Sequence, residues 1–67
     1  MIKLKQYREN HDLSQSKLSE LSGVNLRTIQ SYEGGLKDIN KAQALTLYKL
    51  AKVLDCTIED LLEIPSE

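Results

Sequence analysis

Apolar side chains recur at three- and four-residue spacings along most of the chain, with polar residues between them. That spacing puts them on one side of an α-helix. In the segment 2–11, Leu4 and Tyr7 share a face, with Ile2 at its edge and Arg8, four residues from Leu4, at its border. Leu18 and Leu21 pair in the same way, as do Ile29 and Tyr32. Ala44, Leu47, Leu50, Ala51 and Leu54 form a longer stripe, the central strut of a core. Ile58, Leu61, Leu62 and Ile64 crowd a short last segment that Pro65 ends. The breaks carry residues that stop and start helices. Asn10-His11-Asp12, Gly23, Gly34-Gly35 and Asp55-Cys56 stop them, with Gly35 placed for a left-handed conformation. Ser14, Asn25, Asn40 and Thr57 can each cap the helix that follows by accepting a bond from a backbone N–H, and Glu59 and Asp60 favour the positive end of the last helix. The pattern predicts an all-α chain of five short helices, with Leu13 and Val24 buried at turns. The segment 36–41 reads either as an extended loop or as an extra turn on the fourth helix. Leu45 and Tyr48 lie off the stripe, as spare surface apolars or as a partner surface.

Sixty-seven residues make one domain, 1–67, and three Tyr without Phe or Trp leave its core aliphatic. A lone core of this size is marginal, so close helix packing or dimerisation is expected to support it. No apolar run approaches the roughly 18 residues of a membrane span. Lys3, Lys5 and Arg8 interrupt the start of the chain where a secretory signal needs an apolar region. The single cysteine, Cys56, excludes an intrachain disulfide and reads as a reduced core thiol in a cytoplasmic protein. His11, the one histidine, lacks a second His or a nearby Cys for a metal site and is too isolated for a catalytic group, so it reads as a surface residue at a helix end. Without a phosphate-binding glycine loop or room for a buried pocket, the chain is expected to have no cofactor, no metal and no enzymatic activity.

The net charge of −1 argues against nucleic acid when taken alone. Its distribution changes the picture. Residues 1–52 hold all nine Lys and Arg against five carboxylates, a balance of +4, whereas residues 53–67 hold five carboxylates and no base, a balance of −5. A molecule so divided can turn one face to phosphate and keep the other away.

The chemistry concentrates in residues 14–33, where two short helices meet at a tight turn through Gly23. With Ile29 and Tyr32 inward, the helix over about 25–33 is left with Leu26, Arg27, Thr28, Gln30 and Ser31. Apart from Leu26 these are polar, mid-sized and rich in hydrogen-bonding groups, suited to reading base edges in a DNA major groove. Leu13-Ser14-Gln15, Leu18-Ser19-Glu20-Leu21-Ser22-Gly23-Val24, Thr28-Ile29, Tyr32-Glu33 and Gly35 form one ordered set. Leu47, Leu50-Ala51-Lys52-Val53-Leu54 and Thr57-Ile58-Glu59-Asp60-Leu61-Leu62 continue it. At these spacings the chain resembles the phage-repressor-like (Xre/Cro-type) helix-turn-helix transcriptional regulators over nearly its whole length.

The resemblance implies binding of double-stranded DNA, with the third helix as the recognition helix. Arg27 would meet base edges, where arginine can grip guanine O6 and N7 together. Ser31, four residues on, can reach a base or a phosphate, and Gln30 joins the base-reading set. Leu26 stands where the family often has a polar residue; it either touches a thymine methyl group or packs on the turn, and both remain open. Ser14, Gln15, Ser16 and Lys17 at the start of the second helix, with Asn25 and Thr28, are expected at the DNA backbone, and Gln15 is further expected to brace the recognition helix. Gly34 replaces a common Arg or Asn, which removes one phosphate contact; Lys37 and Lys41 are the remaining phosphate partners in that region. The family pairing of Arg8 with Glu33 predicts a salt bridge from helix 1 to the end of helix 3. A homodimer on a palindromic operator is implied, with helix 5 and the end of helix 4 as its surface, and a repressor role. The alternative is a protein-interaction module of the same fold, an antitoxin or regulatory subunit, favoured by the low net charge and by Gly34.

Overall fold

Each predicted helix forms, and except at the start of the fourth the boundaries fall where the caps and breaks place them. The computed structural model describes residues 2–63; Ile64 and Pro65 lie outside the described residues. Five α-helices follow in order: α1 (Lys3–Asn10), α2 (Gln15–Ser22), α3 (Leu26–Glu33), α4 (Ala44–Val53) and α5 (Ile58–Leu61), with a 3₁₀ turn over Ile39–Lys41 between α3 and α4. Ser14 Oγ accepts from the Lys17 amide at the start of α2, and Asn25 Oδ1 from the Arg27 amide at the start of α3. Thr57 and Asp60 form a reciprocal capping box on α5. Gly23 (φ +77°) and Gly35 (φ +79°) take the left-handed conformation. Asp12 (φ +55°) and Asp55 (φ +51°) take it as well, and they end α1 and α4 in the way a glycine often does.

The helices wrap one aliphatic core. α2 packs on α3 and α4, α4 on α5, and α1 on both α3 and α5. Leu4, Leu18, Ile29, Leu50, Leu54 and Leu61 are its fully buried side chains, closed by Val24, Tyr32, Leu47 and Ala51. Leu13 is half-buried against this core.

Several expectations change. Leu21 is 52% exposed and does not share the inner face of Leu18. Three residues carry it about 60° round the helix from Leu18, beyond the cover that α3 and α4 give. Asn40 does not cap α4. It sits inside the 3₁₀ turn that Asp38 caps, and Gln43 occupies the cap position of α4 with no side-chain bond. The segment 36–41 is therefore neither an open loop nor an added turn of α4. Ile39, which the apolar pattern passes over because it stands alone between Asp38 and Asn40, is 3% exposed and fills the core ahead of α4. For that reason Ala44 is exposed and the buried stripe begins at Leu47. Cys56 is half-buried, packed against the core from its edge.

Candidate nucleic-acid interface

The start of α2 and the end of α3 are held together by one carboxylate. Arg8 donates from Nε to Glu33 Oε2 at 2.8 Å and from Nη2 to Oε1 at 3.0 Å. Its third arm, Nη1, donates to the Leu13 carbonyl at 2.6 Å, on the strand of chain that leads into α2. Gln15 Nε2 donates to the same Glu33 Oε1 at 3.0 Å. The expected Arg8–Glu33 bridge and the expected bracing by Gln15 are thus one network joining α1, α2 and α3. It is nearly dry, with side-chain exposures of 11% for Arg8 and 3% for Glu33. The Glu33 hydrogen bond pushes the Arg8 pKa further up, against the opposing effect of burial, so the guanidinium stays charged.

On this braced frame α3 turns its polar side to solvent. Asn25, Arg27 and Gln30 are exposed, and Arg27 has no ion-pair partner among the described residues. Thr28 is half-buried. Ser31 is half-buried too, and its Oγ donates to the Arg27 carbonyl at 2.8 Å, so its proton is committed to its own helix while the oxygen can still accept. Leu26 is half-buried and stands apart from the side chains packed on the core. At the start of α2, Ser14, Ser16 and Lys17 are exposed, and Ser14 is engaged as the cap. Lys17 lies 3.5 Å from Glu20, an exposed pair of little strength. Lys37 and Lys41 are exposed beyond α3. One residue that sequence reasoning missed joins them. Lys5 lines an open groove with Arg8, Gln15, Gln30, Glu33 and Gly34, and its three-residue spacing from Arg8 was the available signal. Gly34 projects nothing into that groove.

The arrangement offers donors and cations beside a helix with a free guanidinium. His11 is exposed at the end of α1, with Nδ1 3.0 Å from the Tyr7 carbonyl oxygen. Burial, with the nearby charges of Asp60 and Asp55, pushes the Cys56 thiol up, away from the reactive thiolate. Among the described residues no group of His, Cys, Asp and Glu could hold a metal ion, and no helix is long and apolar enough to cross a membrane.

A family model described as helix-turn-helix matches residues 4–61. Comparisons with curated proteins and with solved structures gave no match. The matched span runs from the first core residue of α1 to the last of α5 and contains the whole Arg8–Glu33–Gln15 frame, and the chain therefore belongs to the Xre/Cro-like helix-turn-helix family of DNA-binding transcription regulators.

Proposed function

We propose that this chain binds a specific double-stranded DNA sequence with α3 in the major groove and acts as a repressor. The observation that carries the reading is the exposed, unpaired Arg27 on a helix locked to α2 by Gln15 and Glu33. Arg27 and Gln30, with Leu26 and the oxygen of Ser31, read base edges. Ser14, Gln15, Ser16, Lys17, Asn25, Thr28 and Lys37 face the DNA backbone, where the first turn of α2 supplies unpaired N–H groups and a positive dipole end. Repression follows from occupancy alone, since a bound domain blocks a promoter without further machinery. A homodimer would read a palindrome with half-sites roughly 34 Å apart. Its expected surface, α5 and the end of α4, uses Ile58 and Leu62 partly for its own core, whereas Leu45 and Tyr48, earlier on α4, are 60% and 51% exposed.

Selection from a randomised duplex pool, followed by a salt titration on the enriched sequence, tests this. A palindrome is expected, with log K falling linearly in log salt. Arg27→Ala should then lose preference at one base pair per half-site, by about 1–3 kcal/mol. No enrichment and no salt slope would sink the reading and leave the protein-interaction alternative, with Leu45 and Tyr48 as the first place to look.

A further inference from the structure

Glu63, just past α5, fastens two distant parts of the molecule. Its main chain is bonded in both directions by the Asn40 side chain, whose Oδ1 accepts from the Glu63 amide at 2.8 Å and whose Nδ2 donates to the Glu63 carbonyl at 3.1 Å. Its carboxylate accepts from the Lys3 amide at 2.7 Å, at the start of α1. Both routes lead to the end of α3. Asn40 lies in the 3₁₀ turn, where Asp38 Oδ1 accepts from its amide at 2.9 Å and Ile39 beside it is in the core. Lys37, just before this turn, and Lys41, its last residue, share an open groove with Tyr32 of α3, so the place of the turn sets where both lysines stand beside the reading helix. α1 carries Arg8, which holds Glu33, the last residue of α3. The two fastenings differ in strength. The Arg8–Glu33 pair is nearly dry. The Asn40 bonds are open to solvent, so water replaces them at little net cost, and they can part without unfolding the core.

We propose that Asn40 and Glu63 form a latch that positions the turn after α3 for DNA, so that DNA affinity is set partly from the α5 end of the molecule. Both are positioning residues, acting through the turn rather than on the duplex. The proposal rests on the DNA-binding reading and adds a means of changing affinity that leaves the base-reading residues of α3 untouched. With the latch closed, the turn is held from two sides, by Ile39 in the core and by Glu63 at the surface. With it open, Ile39 remains and the surface side of the turn is free. Lys37 then loses its fixed place, and ordering it again on DNA consumes part of the binding energy. A change that draws Glu63 away from Asn40 therefore lowers DNA affinity, and bound DNA holds the latch closed by the same factor.

Two measurements test the latch. The first is hydrogen exchange on the wild type, free and saturated with a random-sequence duplex. Exchange at the Glu63 amide should slow when DNA is bound, because the coupling runs in both directions. The neighbouring Leu62 amide, bonded to the Glu59 carbonyl, should change little, which separates closure of the latch from a general gain in stability. The second is a double-mutant cycle on the same duplex at several salt concentrations. Asn40→Ala should weaken binding roughly two- to tenfold. Lys37→Ala should reduce the salt slope by about one in the wild type and by far less in the Asn40→Ala background, where Lys37 has already lost its place. A residue that only adds stability would let the two losses add. Additive losses, or a Glu63 amide that bound DNA leaves unchanged, would overturn this proposal alone. The exchange measurement needs no variant and decides the matter even where Asn40→Ala fails to fold. A wild type that binds no duplex would overturn the DNA reading itself, and the latch's role with it.

Discussion

Arg8 joins three parts of the chain through one guanidinium, and a single truncation exposes how much they depend on it. Arg8→Ala would leave the 3%-exposed Glu33 carboxylate with Gln15 as its remaining side-chain donor, and the Leu13 carbonyl without its bond. Breaking a buried pair in this way costs about 3–5 kcal/mol. At about 4–8 °C per kcal/mol for a domain of this size, a thermal melt should show a fall of more than 10 °C. A loss under about 1 kcal/mol would mean that the pair behaves as an exposed one. Arg8→Lys should recover little, since an ammonium cannot use three donors in the fork geometry that Glu33 and Leu13 require.

At the level of elements, the short helices depend on their ends more than on their interiors. α5 has four residues, too few to persist without its caps and the burial of Leu61. Thr57 Oγ1 accepts from the Asp60 amide at 3.1 Å, and Asp60 Oδ2 accepts from the Thr57 amide at 3.0 Å. Thr57→Ala removes one half of this box and should lower stability by about 0.5–2 kcal/mol in urea titration. Thr57→Ser, which keeps the oxygen, should stay close to the wild type. Equal losses in both variants would show that the threonine methyl group, not the cap, matters. α2 and α3, the two helices of the helix-turn-helix, have the same logic. Ser14 and Asn25 set where each helix starts, and so which residues the first turn of α2 and the outer side of α3 present.

Across the whole molecule, the start of α1 and the segment just after α5 are tied to each other and to the turn behind α3. Glu63 Oε2 accepts from the Lys3 amide at 2.7 Å, a bond spanning 60 residues, and the Glu63 main chain is clamped by Asn40. α1 has no side-chain cap of its own, so this carboxylate from the far end takes that role. Asn40→Ala deletes two hydrogen bonds and should cost about 1–3 kcal/mol. Hydrogen exchange should also quicken at the Lys3 and Glu63 amides. Unchanged protection at both would refute the tie.

Much of this was legible before any coordinates. Helix number, the caps at Ser14, Asn25 and Thr57, the left-handed Gly35 and the buried Ile29 and Tyr32 follow from local rules: period, capping and backbone sterics act within a few residues, and the sequence states them directly. The polar side of α3 was readable for the same reason. The Arg8–Glu33 bridge was reachable only through family likeness, because nothing in a 25-residue separation announces a contact. Other features were decided by the tertiary structure alone. Leu21 and Ala44 fit the period yet face solvent, since period sets which side a residue is on but not whether a neighbour covers it. Asn40 looked like a cap and became a clamp because Ile39, buried in the core, moved the start of α4 to Ala44. Lys5 and Tyr32 entered candidate grooves through the packing of elements distant in sequence. The sequence by itself determined the helices and the surface chemistry each one carries. Packing alone determined which of those surfaces meet, because burial and long-range hydrogen bonds depend on what arrives from elsewhere in the chain.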